Sequence, residues 1–441
     1  MEMIKMNEDV LIVGGGFGGL IVGAILAKNG VNVKLFEKKV ILGGRANSFE
    51  YKKGYVVDYG IHAIRFSKKG VIPRIFKKLL KQKLKIIDYG EGKLFMNNEW
   101  HDLPLSMSAI QNTNLLSDEE KQQLTKILAG ALTTKIDDKV LDLSIDDWLK
   151  DKNLSDNTKN LVRIITDLLC VSYNEIDRLS TGEFLDGIKK AISAGKGSSY
   201  PIGGWKFIID ELVKFIEENG EIKTKSKVDK ILVNDNKVQG IMVGNQKITS
   251  DTVVLALPIK QVYSVIDKSL LSSSFTNKAN NVIPTCGISI DFGLNKKISE
   301  IDGLICTNKP FTMSCFTSNL DPSVAPNGEQ LYTILQPTSH EVIKKKEKTS
   351  KMIENLYSML ETMFPGFNDQ IKWKRPLVLP LVDGSAVYTS CHRNKRPSIK
   401  SKIEGLYFSG DSYNGVGIGG DIAHASAKLC AETILKDKNI F

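Results

Sequence analysis

The chain opens with a short apolar run, Val10-Leu11-Ile12-Val13, held between Asp9 and the glycine cluster Gly14-Gly15-Gly16-Phe17-Gly18-Gly19. Four apolar residues bounded by turn formers predict a buried strand, and the apolar stretch after the glycines predicts a helix. A second strand is predicted from Val31 to Glu37, which completes a βαβ unit. Further on, Ile72, Ile75, Phe76, Leu79, Leu80 and Leu84 recur at helical spacing, with Pro73 suited to a first turn. From about 66 to 195 the pattern is mainly helical, with polar breaks at Leu154-Ser-Asp-Asn-Thr and across Ser193 to Ser199. Pro201-Ile-Gly-Gly-Trp-Lys-Phe begins an amphipathic helix through about Asn219, which Gly220 ends.

Strand patterns follow at Ile222 to Val228 and Lys237 to Val243, with a buried strand from Asp251 to Leu257 that stops at Pro258. Cys286 to Phe292 and Gln330 to Gln336 also read as strands, and a helix is predicted from about Ser339 to Met363. Near the end, Gly405-Leu-Tyr-Phe-Ser-Gly-Asp411 reads as a short strand closing on Gly-Asp. A second glycine cluster, Gly415 to Gly420, leads into an Ala-rich helix from Asp421 to Leu435. No internal repeat is visible.

The first βαβ unit has the spacing of a dinucleotide site. Gly14 allows the tight turn, Gly16 lets the backbone approach a pyrophosphate, and Gly19 lets helix and strand pack closely. Glu37, at the end of the second strand, is placed to bind an adenosine ribose. The acid alone does not separate NAD from FAD. The second site, about 390 residues downstream, favours a flavin, whose ribityl chain and ring extend past the pyrophosphate. Asp411 suits ribityl hydroxyls, and the last helix can direct its positive end at the ring.

Composition narrows the partners. At 441 residues the chain is too long for one compact core, so two interleaved domains are expected. The formal net charge of +10 admits an anionic partner, but no basic stretch is interleaved with aromatic residues for base stacking, so nucleic acid is not expected. Nowhere do eighteen apolar residues run uninterrupted, and the N-terminal stretch leads directly into the first strand. A soluble cytoplasmic enzyme with no span or cleavable signal is therefore expected. Six cysteines form no C-x-x-C pair and no metal-ligand spacing with the five histidines, which points to packing cysteines and no metal. Arg74, Lys77, Lys78, Lys81, Lys83 and Lys85 flank the Ile72 to Leu84 stripe. That helix suits either a peripheral membrane contact or, as preferred, a core-facing stripe beneath a solvated lysine face.

Together with Gly43-Gly44-Arg45, Asp58-Tyr-Gly60-Ile-His62 and Tyr200-Pro-Ile-Gly203-Gly204, the two glycine ends give the chain its resemblance to a known superfamily. It resembles the FAD-dependent phytoene desaturases, carotenoid isomerases, protoporphyrinogen oxidases and flavin amine oxidases. The resemblance implies a mixed α/β fold: a Rossmann-like FAD-binding domain of the glutathione-reductase and amine-oxidase type, interleaved with a substrate domain of mixed sheet and helices. On that reading the FAD domain takes 1–65, 196–260 and 401–441. A helical cap takes 66–195, and 261–400 returns to the substrate domain.

The resemblance also distributes roles. Gly14, Gly16 and Gly19 go to the pyrophosphate, Glu37 to the adenine ribose and Val228 to the adenine, and Phe17, Gly18, Lys38, Gly43, Gly44, Gly60, Gly410 and Ile422 are further cofactor-binding positions with no part of the cofactor assigned. Arg45 lies beside the pyrophosphate and ribityl, with Asp411 at the ribityl chain. The loop of Gly60 and His62 comes near the flavin, and Gly419, Gly420 and Asp421 adjoin the isoalloxazine. His62 is the candidate catalytic residue, since imidazole moves protons near neutral pH, although it equally suits a loop-bracing role. His392 and His424 are weaker candidates. No Cys precedes the last helix where a thioether to flavin would form, so FAD is expected to be non-covalent.

The expected reaction is oxidation, reduction or isomerisation of a lipophilic polyene or isoprenoid. A protoporphyrinogen-oxidase-like enzyme is an alternative, on Ser412-Tyr-Asn-Gly-Val-Gly-Ile-Gly-Gly-Asp-Ile422. There a Gly stands where that family usually has Pro, and Ile follows Asp421 rather than Cys. An amine oxidase is disfavoured because Val416-Gly-Ile-Gly419 lacks an aromatic wall, leaving only Tyr413 and Tyr388 to substitute by another geometry. The non-enzyme alternative, a prenyl-binding protein like Rab GDP-dissociation inhibitors, conflicts with the intact nucleotide motifs. Substrate, electron acceptor and oligomeric state are not legible.

Overall fold

A computed structural model describes residues 9–195 and 197–440. The N-terminal stretch ahead of Asp9, and position 196 within the polar break at 193–199, lie outside the described residues.

Five parallel strands form the sheet that carries the glycine clusters, in the order 220–223, 33–36, 10–13, 252–255, 406–408. Val10–Val13 is central and wholly buried. Val10 and Ile12 face one side, against the helices Phe17–Lys28, Trp205–Glu217 and Gly420–Asp437. Leu11 and Val13 face the other, against Ile231, Ile241 and Phe408. Burial on both faces is why this strand reads as a continuous apolar run rather than an alternating one. That sheet gathers strands from three separated stretches of chain.

A seven-stranded sheet has the order 371–379, 286–294, 330–338, 311–316, 305–308, 93–96, 99–102. Helix Lys346–Met363 covers one of its faces, with Leu356, Leu360 and Met363 against Ile288, Ile290 and Phe292. Side chains of that sheet outside this cluster, Leu94, Cys306, Met313 and Leu335, pack with a group of helices built from 107–112, 118–133, 138–142, 145–150, 156–170 and 181–194. Each begins on a Ser or Asp whose side chain accepts from the first turn: Ser106, Ser117, Asp137, Ser144, Ser155 and Ser180. Ser117 and Glu120 form a complete capping box.

Several expected elements differ. The stretch from 66 to 195 is not only helical: Ile86–Asp88, Lys93–Met96 and Glu99–Asp102 are strands, and the last two extend the seven-stranded sheet. Asn97 and Asn98, both at positive φ, make the two-residue hairpin turn that joins them. The strand expected at Ile222 to Val228 is Gly220–Lys223; Gly220 opens it, while the helix before it ends at Glu217 with Glu218 as its C-cap. Its chain then leaves the sheet, and Lys230–Asn234 starts a separate three-stranded antiparallel sheet. The helix expected from Ser339 to Met363 is split into His340–Ile343 and Lys346–Met363.

The basic helix covers only Val71–Lys78. It stops because Lys81 adopts φ 57° and the Gln82 N–H reaches back to the Phe76 carbonyl, at 2.9 Å. Lysine gives no warning of a left-handed cap. Ile72, Ile75, Phe76 and Leu80 are all buried, with the Phe76 ring 6.4 Å from Phe215. The apolar stripe is therefore spent on the core, and the preferred bland reading of this helix holds.

Candidate functional site

The parallel sheet ends its strands at a cavity of about 1210 Å³ that runs from Glu37 and Lys38, past Arg45 and Asp411, to the helical group. Gly14, at φ +110°, could not carry a Cβ, which would lie 2.5 Å from the Ala256 carbonyl oxygen; a Cβ on Gly19 would lie 2.0 Å from that of Gly14. Those two glycines are required by the fold. Gly16 is different: a Cβ there would meet only Gly44 Cα, at 3.9 Å. Nothing in the protein demands glycine at 16, and the space kept open is cavity.

Three helices aim their N-termini here, Phe17–Lys28, Trp205–Glu217 and Gly420–Asp437. Their N-cap residues are Gly16, Gly204 and Gly419, and none receives a side-chain cap. The first turns at Phe17 and Gly420, both on the cavity, thus leave N–H groups and positive ends for an anionic ligand, whereas Asp58 already takes the Trp205 N–H. This donor set, beside an open Gly16, fits a dinucleotide pyrophosphate.

Glu37 lines the cavity, but its carboxylate also holds the glycine turn. Oε2 accepts from Gly15 N at 2.8 Å, and Oε1 from Lys39 N at 2.8 Å. Arg45 and Asp411 meet each other. Arg45 Nη2 forks onto both Asp411 oxygens, at 2.7 and 2.8 Å, while Nη1 donates to the Val382 carbonyl at 2.7 Å. Gly384 N–H adds a donor to Asp411 Oδ2, at 2.6 Å. Burial opposes the Asp411 charge, but Arg45 and this N–H hold the carboxyl below its ordinary range; the same pairing outweighs burial to hold Arg45 ionised.

His62 lines the cavity with its ring 5.6 Å from Trp205. Nδ1 lies 3.0 Å from the Gly60 carbonyl, which can only accept, so Nδ1 carries the proton and Nε2 the lone pair. Burial lowers its pKa, favouring neutral imidazole. Asp58, in the same loop, accepts from Tyr200 Oη at 2.8 Å and from Trp205 N at 3.5 Å. Its carboxyl is pushed up by burial to about 6. The two motifs around residues 58–62 and 200–204 are thus bound to one another, which only the tertiary structure reveals.

Of the remaining expected cofactor positions, Phe17, Gly18, Lys38, Gly43, Gly44, Gly60, Gly410, Gly420 and Asp421 line the cavity. Four do not. Val228 packs under the sheet with Leu11 and Phe36, and Ile422 packs among the helices with Ile418 and Leu185. Gly19 serves helix packing, and Gly419 stands behind Arg65 and Asp383. Among the other nominated side chains, His392 is held by Asp142 at 2.8 Å. Tyr388 is bonded to Glu175 and Tyr413 to the Leu257 carbonyl, and none of these three lines the cavity.

Trp205, whose role was not foreseen, and His424, a weaker candidate, are stacked at 6.5 Å and both line the cavity, with Phe17 against each. Asp383 and Arg65 were also missed. Asp383-Gly384 was visible as a turn dipeptide, but its partner, Asp411, was not. The far half of the cavity is lined by Leu128, Leu132, Ile165, Leu168, Ile188 and Ile192 from three different helices.

Comparison with known proteins agrees with this architecture. The profile of the flavin containing amine oxidoreductases matches residues 17–435. The chain belongs to that family, and it is an FAD-dependent oxidoreductase with the mixed α/β fold expected from its sequence. It is 24% identical to a 15-cis-phytoene desaturase of Narcissus pseudonarcissus, covering 97% of this chain and 80% of the relative. It is 23% identical to prolycopene isomerase 1 of an Oncidium hybrid cultivar, over 98% and 84%. An oxidoreductase of Methanosarcina mazei superposes with a TM-score of 0.81 at 22% identity, over 96% of this chain and all of that one.

When bound, FAD supplies the two-electron redox chemistry, and the chain supplies the surroundings. The glycine-capped helix ends and Arg45 would hold its charged part. His62, neutral with Nε2 free of the Gly60 bond, would stand beside it.

Proposed function

We propose that this enzyme oxidises, reduces or isomerises a lipophilic polyene or isoprenoid. The observation that carries the reading is the continuity of the FAD end of the cavity with a long half walled by aliphatic side chains of the helical group. Burying such a chain yields roughly 25 cal/mol per Å² of apolar surface, ample to hold a substrate with few polar handles. The phytoene desaturase and prolycopene isomerase relatives support the same class. In this reading FAD is non-covalent and the cofactor residues are those named above that line the cavity. Segments 1–65, 196–260 and 401–441 serve the cofactor; 66–195 and 261–400 serve the substrate.

Membrane contact moves from the basic helix to the cavity mouth. Leu105, Met107, Leu132 and Ile192 are each more than two-fifths exposed and also line the cavity, so a greasy rim surrounds its opening. No helix among the described residues is long and apolar enough to cross a membrane. A peripheral enzyme drawing its substrate from a bilayer through this rim fits these features.

The test is anaerobic reduction of the bound flavin, followed by absorbance, with polyenes, porphyrinogens, polyamines and aromatic amines. Bleaching by polyenes, or isomerisation of them by the reduced enzyme, is expected. Rapid bleaching by a primary amine alone would overturn the reading in favour of an amine oxidase.

A further inference from the structure

Two charged side chains stand where the aliphatic half of the cavity meets the last helix. Arg65 and Asp383 both line it. A Cβ placed on Gly419 would lie 3.2 Å from Arg65 Nη2 and 3.4 Å from Asp383 Oδ1, so the two groups converge on one point. They nevertheless form no ion pair within 4.0 Å, and among the described residues neither side chain makes a hydrogen bond. The contrast with Arg45 and Asp411 a short way along the same cavity is sharp, because those two are fully engaged with each other.

An unmet cation and anion in a largely apolar chamber cost free energy unless something satisfies both. Their positions are fixed. Arg65 belongs to a strand paired with Ser198, and Asp383 N–H donates to Thr285 Oγ1 at 3.0 Å, with Thr285 N–H returning to the Asp383 carbonyl at 3.0 Å. Leu168, Leu169, Ile188 and Leu379 line the same cavity, while on the cofactor side Arg45, Asp411 and His62 lie near enough to Asp383 to act on its charge. A ligand group suited to this point must accept from a guanidinium and donate to a carboxylate, and a hydroxyl does both with one oxygen. A carboxylate would accept from Arg65 but repel Asp383, and a hydrocarbon would leave both unmet.

We propose that Arg65 and Asp383 form a head-group subsite that selects an apolar chain bearing a hydroxyl group over the corresponding hydrocarbon or acid. The proposal deepens the lipophilic-substrate reading and rests on it. It makes the substrate an amphiphile, fixed in depth by one polar contact while the aliphatic wall holds the rest.

The test uses the FAD-loaded enzyme and three C20 isoprenoids, geranylgeraniol, its carboxylic acid and the matching hydrocarbon, in one detergent. Binding is read from the perturbation of the flavin absorbance. The alcohol is expected to bind at least about tenfold more tightly than the hydrocarbon or the acid, the scale of a hydrogen bond to a charged group. Arg65→Leu and Asp383→Leu are each expected to bring the alcohol to the hydrocarbon's affinity and to leave the hydrocarbon and the flavin content unchanged. Should either fail to fold, Arg65→Lys and Asp383→Asn carry the test, with a partial loss confined to the alcohol.

Equal binding of alcohol and hydrocarbon by the unaltered enzyme, or preference for the acid, would overturn the subsite while leaving the lipophilic reading in place. Loss of FAD from the Arg65 or Asp383 variants would overturn it by assigning these charges to the cofactor. Binding of none of the three compounds would remove both the subsite and the reading beneath it.

Discussion

The helices that meet the cofactor end of the cavity and those that wall its far end start in opposite ways. Gly16, Gly204 and Gly419 stand at the N-caps of the first group and give no side-chain cap. Ser117, Ser155 and Ser180, among the caps of the second group, each close their own first turn. Uncapped N–H groups with a glycine beside them, as at Phe17 and Gly420, are donors held open for a ligand, whereas capped ones, and the Trp205 N–H that Asp58 takes, are spent on stability. The cofactor end is therefore polar through its backbone, and the far end offers only side chains, mostly aliphatic. One half of the cavity is prepared for a fixed anionic partner and the other for an apolar one.

The largest effect that would break this comparison is at Gly16. Because a Cβ there meets no protein atom closer than 3.9 Å, Gly16→Val should fold normally yet lose FAD by more than about a hundredfold in affinity, giving colourless protein with an unchanged circular dichroism spectrum. Full flavin occupancy in that variant would mean that the open donors serve something else. Next is Asp411→Ala, which leaves Arg45 without its carboxylate. Loss of a charge-assisted pair costs on the order of 1.5–3 kcal/mol, so flavin affinity should drop roughly ten- to hundredfold, with a lower thermal midpoint. Unaltered flavin binding, measured by fluorescence titration of the apoprotein, would separate this ion pair from the cofactor.

At the far end, Met107→Asp combined with Leu132→Asp should weaken binding to anionic vesicles by about tenfold, since withdrawing even one methylene's worth of each half-exposed side chain from lipid costs about 0.8 kcal/mol. Lys77→Glu with Lys78→Glu, on the helix whose stripe is buried, should change it by less than about threefold at physiological salt, because charges held off the bilayer are screened over about 8 Å. The reverse ranking would return the membrane face to the basic helix. The smallest effect is Ser117→Ala, which should cost about 1 kcal/mol in a denaturant titration and leave flavin content untouched. A loss of flavin there would show that the capped helices are not independent of the cofactor half.

Some of the corrections follow from one cause. Asn97 and Asn98 turn a hairpin inside a stretch that otherwise reads as helical, and Lys81 ends a helix in a conformation usually given to glycine. Both depend on local backbone choices that side-chain periodicity does not encode. Val228 shows the converse. It sits in an apolar pattern near the adenine end of the sequence motifs, yet the chain leaves the parallel sheet after Lys223 and carries it beneath the sheet instead.

By itself the sequence determined the parts of this protein whose constraints are short in range. The turn at Gly14 and the close approach at Gly19 act through neighbouring backbone atoms, and the Glu37 carboxylate reaches Gly15 across one βαβ unit. Steric demands of that kind leave a fixed spacing of residue types. Only the tertiary structure decided that Arg45 would meet Asp411, 366 positions away, and that Asp58 would bind Tyr200. It alone converged Arg65 and Asp383 on the gap at Gly419. Such pairings depend on how the two sheets and the helical group pack, and a single chain of letters carries no fixed spacing for contacts made across that distance.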